Sequence, residues 1–192
     1  MKKLSYTTEG FYSWTRADVA KYVEAHPLGT KAHLALALLL YSGVRRSDAV
    51  LLGRQHIIDD TIRFVPLKTR KKKPEPLIIP LLPALREVME ATPHTAECLT
   101  VLENEWGRPY ASGNAFGNKM KGWCKAAGLD ECSPHGLRKL AAISMAEGGA
   151  SVQQLMAAFG WSTPGQAIHY IKKANQAKLA SQAMPLIGRI GA

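Results

Sequence analysis

Four side chains in the second half of the sequence could act together on a phosphate ester. His135 and Arg138 stand three residues apart in Ser133-Pro134-His135-Gly136-Leu137-Arg138-Lys139, so on a helix they share a face. That pairs a titratable base with a fixed cation. Trp161, in Phe159-Gly160-Trp161-Ser162, offers an indole N–H that can only donate. Tyr170 follows nine residues later and carries a hydroxyl able to serve as a nucleophile. Cation, donors, base and hydroxyl are the parts that attack on a phosphodiester needs. The same residues also fit a plainer arrangement, with His and Arg on the surface of an ordinary helix and Tyr in a core.

Further basic residues lie upstream. Ser42-Gly43-Val44-Arg45-Arg46-Ser47-Asp48 places two arginines at an expected helix start, just after an apolar helix. Guanidinium forks there suit phosphate oxygens, and an anion nearby would relieve the unfavourable cation at a helix N-terminus. A surface pair with Asp48 is the alternative. Lys68 stands where an expected strand meets the turn Lys68-Thr69-Arg70-Lys71-Lys72-Lys73-Pro74. Arg70, Lys71, Lys72 and Lys73 fit a solvated tip as well as they fit DNA contact. Arg46 and Lys139 join them as candidate DNA-binding residues.

Local chemistry predicts the elements that hold these groups. Thr15 caps a first helix with Asp18 at its third position and Val19, Tyr22 and Val23 as the buried stripe, and Pro27 and Gly29 end it. A second helix starts after Thr30; Leu34 to Leu40 is apolar on all sides, which predicts a central helix stopped by Gly43. A short third helix begins near Arg46 and carries Ala49, Val50 and Leu51. The period then changes: Thr61 to Val65 alternates, Leu77 to Ile79 is a second strand, and the basic turn makes them a hairpin. Pro83 starts a helix that ends by Pro93, and Leu99 to Leu102 reads as extended. Helices follow from Ser112 to Gly128, from His135 to Gly148, from Val152 to Ala158, and after Pro164-Gly165. The fold class is therefore mainly α with one small antiparallel β-sheet (α+β). Residues 1–14 read as a leader or linker, 15–177 as the domain, and 178–192 as a tail with spaced apolar residues.

Composition narrows the partners. The chain has 192 residues and a net charge of +10, with 25 Lys and Arg against 15 Asp and Glu. That balance favours a polyanion, nucleic acid ahead of membrane, over a merely solvated basic surface. Cys98, Cys124 and Cys132 are an odd set without C-x-x-C spacing, which argues against zinc and against a secreted disulfide scaffold and favours a reducing cytosol. The longest apolar run is too short to span a bilayer, and the N-terminus has no signal-peptide core, so no membrane association is expected.

Taken in order, Arg45, Lys68, His135 with Arg138, Trp161 and Tyr170 resemble the catalytic domain of the tyrosine recombinases, or phage-type integrases. Ser-Gly-Val-Arg-Arg-Ser-Asp resembles the family's Thr-Gly-Leu-Arg-x-x-Glu box, with Asp48 as the acidic supporting residue. Leu67-Lys68-Thr69, followed by Ile79-Pro80-Leu81, resembles its Lys-Thr hairpin, and His135-Gly136-Leu137-Arg138 its His-x-Leu-Arg box. Phe159-Gly160-Trp161-Ser162 resembles its Leu-Gly-His-Ser box, with Trp for the commoner His.

The resemblance covers roughly residues 12–184 and implies a cytoplasmic, DNA-associated enzyme of bacterial or phage origin. Tyr170 would attack the phosphodiester to give a 3′-phosphotyrosyl intermediate, Arg45 and Arg138 would neutralise the non-bridging oxygens, and Trp161 would donate an N–H. Lys68 would protonate the leaving 5′-oxygen and His135 would assist at Tyr170. Neither metal nor cofactor is expected. The implied partners are double-stranded DNA and further copies of the chain, in a tetramer on DNA. The family usually carries a DNA-clamping domain upstream, and none is expected from this sequence. Family members often dock a C-terminal segment on a neighbouring protomer; here the tail could do so or pack on its own domain. A topoisomerase-IB-like nicking and closing activity and a non-cutting DNA-binding module stand as alternatives.

Overall fold

The computed structural model describes residues 10–71, 74–174 and 176–189. Helix α1 (Arg16–Ala25) opens on a reciprocal cap. The Thr15 hydroxyl accepts from the Asp18 N–H at 3.1 Å and the Asp18 carboxylate accepts from the Thr15 N–H at 2.8 Å. Helix α2 (Lys31–Ser42), capped by Thr30, buries every residue from Leu34 to Leu39, and it packs against α4 (Pro83–Ala91) and α6 (Pro134–Glu147). Gly43 ends α2 in the left-handed region at φ 61°, and a Cβ there would meet the Phe159 ring at 2.6 Å. Only glycine satisfies both demands.

Helix α3 (Arg46–Ala49) has four residues, so the expected run through Leu51 is not helical; Leu51 is exposed. So short a helix has little macrodipole, and the dipole argument for an anion at Arg45 loses its force. Strands β1 (Ile57–Ile58), β2 (Thr61–Phe64) and β3 (Leu77–Pro80) form an antiparallel sheet in that order, with Ile62 opposite Ile79. The hairpin matches expectation. Two-residue β1 was not expected; Asp59 and Asp60, at φ 47° and 56°, make the tight turn that returns it to β2. Leu99 to Leu102 contributes an isolated bridge, Thr100 to Gly53.

Helices α5 (Gly113–Ala126), α7 (Val152–Phe159), α8 (Pro164–Lys173) and α9 (Gln176–Ala183) complete the chain, followed by a 3-10 segment, Met184–Arg189. Ser112, Ser133 and Ser151 cap α5, α6 and α7. Among the described residues the buried side chains form two clusters. The larger gathers α1 to α6 and the sheet, and includes Tyr22, Leu38, Phe116, Met120 and Leu137. The smaller gathers Ala141, Ala142 and Ala146 of α6 with Leu155, Phe159, Trp161, Ala167 and Ala174. Residues 10–14, read from sequence as leader, cross the start of α6. There Trp14 is buried, its Nε1 donating to the Ser133 carbonyl at 2.9 Å. In the tail, Leu179 packs on the smaller cluster, whereas Met184 and Ile187 are exposed. No helix among the described residues is long and apolar enough to cross a membrane.

Candidate active site

Arg138 is the centre of the arrangement. Its side chain is 7% exposed, because α6 carries it inward beneath the ends of α2 and α7. Nη1 donates to the Gly43 carbonyl and Nη2 to the Phe159 carbonyl, the latter at 2.8 Å. Both carbonyls lie at helix C-termini, where partial negative charge favours a cation. The guanidinium also sits 4.9 Å from the Phe159 ring centre and 5.9 Å from that of Trp161. Burial first, then the charge of Arg45, pull its pKa down to about 10, which leaves it cationic at neutral pH.

Arg45 follows the α2 stop and caps α3 through its backbone, so no hydrogen bond within the cap occupies its side chain. It faces a cavity of about 450 Å³ that Arg46, Asn114, His135 and Arg138 also line. His135 stands at the rim, its ring tilted against Phe11 with 4.9 Å between centres. Its pKa is lowered by desolvation first and then by the charges of Lys139, Arg138, Arg45 and Arg46. The imidazole is therefore neutral and able to accept a proton.

Trp161 and Tyr170 lie on the other side of Arg138. Phe159, Trp161 and Tyr170 form a continuous stack, with centre distances of 4.7 and 5.3 Å and interplanar angles of 15° and 6°. Tyr170 does not line the cavity that holds Arg45 and His135, but it is close enough for the Arg138 charge to oppose the rise in its pKa that burial causes. Arg138 thus touches both halves of the site.

Asp48 is buried and accepts the N–H of Leu67 at 2.9 Å, which fixes the turn that carries Lys68. Its carboxylate therefore works on the hairpin, in place of the surface pairing with Arg45 or Arg46 that sequence left open. Lys68 is exposed and lies outside the cavity. Arg70 borders a narrow crevice with Asp48 and His56; Lys71 is exposed; Lys72 and Lys73 lie outside the described residues. Lys139 donates to the Phe11 carbonyl, so it ties down residues 10–14.

The model of the phage integrase family matches residues 17–177. The chain belongs to the phage integrase family. No curated protein sequence matches it. Its fold, the tyrosine recombinase catalytic-domain fold, is similar to that of a lambda integrase fragment (75–356) solved as a dimer bound to a COC′ core site. Identity is 19% and the TM-score 0.73, over 91% of this chain and 64% of that one. XerA recombinase is similar at 14% identity and a TM-score of 0.71, over 95% of this chain and 66% of that one. The lambda integrase catalytic core gives 20% and 0.63, over 78% and 94% respectively. This integrase-family chain therefore spans about two thirds of the longer recombinases and matches nearly all of the catalytic core.

Within this family member the motif residues were readable from sequence, but several neighbours were not. Phe11 over His135 and Asn114 beside Arg46 come from distant segments and carry no motif. His94, Cys98 and Glu103 place their ligand-type atoms within 4.8 Å of one another, a grouping that C-x-x-C spacing does not reveal. Protein partners engage it: Glu103 pairs with Lys31 at 2.8 Å and accepts the Thr95 N–H at 3.0 Å, and His94 Nε2 lies 2.7 Å from the Thr100 carbonyl. It clasps the 94–104 loop to α2.

The depressed His135 pKa makes a pH prediction. A base must be neutral to accept a proton, and this imidazole stays neutral below the ordinary value of about 6.5. With His135 as the base, the acidic fall in covalent adduct formation should therefore have its midpoint below 6.5. A single-turnover pH profile, with an NMR titration of His135, checks this; an acidic limb centred above 6.5 would remove His135 as the base.

Proposed function

We propose that this chain is the catalytic domain of a site-specific DNA recombinase that cuts and rejoins DNA through a 3′-phosphotyrosyl intermediate. The observation that carries the reading is the double tie of Arg138 to Gly43 and Phe159, which draws the Arg45 box, the His135–Arg138 box and the Trp161–Tyr170 stack onto one guanidinium. In the reaction Tyr170 leaves its stack to reach the phosphate in the cavity; its oxygen bonds to phosphorus and its proton passes to His135. The bond to the 5′-oxygen breaks, and Lys68 protonates that oxygen as it leaves. Arg45 and Arg138 offset the charge that builds on the non-bridging oxygens. The phosphotyrosyl ester conserves the linkage, so a 5′-hydroxyl can attack it and rejoin the strand. Double-stranded DNA is the substrate, and the chain is expected to associate with its own copies on DNA.

The test is a library of nicked duplexes of randomised sequence, from which covalently bound protein is recovered under denaturing conditions. Recovery of adduct at defined sequences supports the proposal, and failure to recover any adduct overturns it. Lys68 has its own prediction. Lys68→Ala should slow cleavage of the recovered sites by about 10²-fold or more. A bridging 5′-sulfur, which leaves without protonation, should restore the rate. Lys71→Ala should instead weaken binding and reduce the salt slope by about one; rescue of that variant by the sulfur substrate would contradict the division.

A further inference from the structure

Helix α5 contains three glycines after its cap, at 113, 117 and 122, although glycine in a helix interior is destabilising relative to alanine. Two of them have neighbours that explain them. A Cβ on Gly113 would come within 3.0 Å of the Ser47 Cα, so this glycine lets α5 pack directly on α3. A Cβ on Gly117 would come within 2.7 Å of Arg46 Nη1, so the Arg46 side chain lies across the bare backbone of α5. One turn earlier, Asn114 Oδ1 accepts from Arg46 Nη2 at 2.6 Å. Gly122 has open space around it.

Arg46 is thus held on two sides while lining the same cavity as Arg45, His135 and Arg138. Asn114 uses one of the five N–H donors that a guanidinium carries. A long exposed arginine normally loses much rotamer entropy when it grips a ligand, and an arginine already splinted loses less.

We propose that Arg46 is a third phosphate-gripping arginine, set for a backbone phosphate beside the one that Arg45 and Arg138 hold, and that Gly117 and Asn114 are its positioning residues. This rests on the reading of the cavity as a DNA-phosphate site. It assigns to Gly117 a role that helix chemistry alone would oppose.

The experiment measures binding of a short duplex of arbitrary sequence across a salt series, in the Tyr170→Phe chain so that cleavage plays no part. Arg46→Ala should lower affinity roughly five- to tenfold near 0.1 M salt and reduce the salt slope by about one, the effect of one lost phosphate contact. Gly117→Ala should do the same with the arginine still present, because the new methyl displaces it. It should also raise Tm, since alanine favours the helix and the displaced group is a flexible side-chain end. Gly122→Ala should raise Tm alike and leave binding unchanged. The double variant Arg46→Ala/Gly117→Ala should bind no worse than Arg46→Ala alone. Asn114→Ala should give a smaller loss of the same kind, also absent when Arg46 is gone.

Unchanged binding in Arg46→Ala overturns the assignment. So does additivity of Gly117→Ala with Arg46→Ala, or equal effects of the two glycine variants on binding. Failure of the cleavage reading appears separately, as absence of adduct from the native chain. A native chain that binds no duplex at all overturns both.

Discussion

Tyr170→Phe is expected to abolish covalent adduct formation, by about 10⁴-fold or more, the scale on which a nucleophile's removal is felt. Phenylalanine keeps the ring that stacks on Trp161, so Tm and DNA affinity should be unchanged. Only the oxygen is lost. The other groups that could substitute are poorly placed. His169 meets Tyr170 edge-on at 5.4 Å and offers no hydroxyl. Tyr41 belongs to a groove with Leu82 and Met145, away from the arginine cavity. Adduct from the Phe variant at native yield, read on a denaturing gel, would remove Tyr170 from the mechanism and assign the nucleophile to another side chain.

Arg138→Ala should have two large effects, where Arg45→Ala should have one. In chemistry each loses a grip on charge that forms only in the transition state, worth about 10²–10³-fold, or roughly 3–4 kcal/mol. Arg138 also satisfies two buried carbonyls at helix ends. Hydrogen bonds from a charged donor contribute roughly 1.5–3 kcal/mol each, offset in part because the buried cation no longer has to be desolvated. The variant should therefore be less stable by about 2–4 kcal/mol in urea melts. Arg45, whose side chain caps nothing, should melt within about 0.5 kcal/mol of the native chain. Cleavage within about tenfold of native in either variant, near 1.4 kcal/mol, would show that its guanidinium does not meet the reacting phosphate.

How far the sequence foretells the structure depends on the range of the interaction. Thr15, Thr30, Ser112, Ser133 and Ser151 cap helices through atoms three residues away, and Gly43 and Gly160 stop them with one backbone conformation. Such signals are local, and they predict the helices well. The spacing of His135 and Arg138 is equally local. Contacts between segments are different. Nothing around Trp14 signals that its indole reaches Ser133, 119 residues on. Asp48 is recognisable as acidic, but its bond to the Leu67 backbone exists only once α3 and the hairpin are folded together. Strand β1 is too short to have a period, and it forms because β2 is there to pair with. The motif named the residues, and only the fold shows that Tyr170 stacks apart from the cavity.

The division of the core into two clusters has a thermal consequence. Arg45 and His135 stand on the larger, while Trp161 and Tyr170 belong to the smaller, and α6 and Leu40 link the two. Among the described residues, five of the eight buried members of the smaller cluster are alanines, which bring one methyl each to the interface. Even with Leu155, Phe159 and Trp161, the region that carries the tyrosine buries far fewer side chains than the larger cluster, and regions with fewer buried contacts open at lower free energy than the rest of a domain. Heating should soften it while the arginine cavity is still intact. Under the proposed chemistry, strand cutting would then fail several degrees below the temperature at which the chain unfolds. The working temperature range would be set by the smaller of the two clusters.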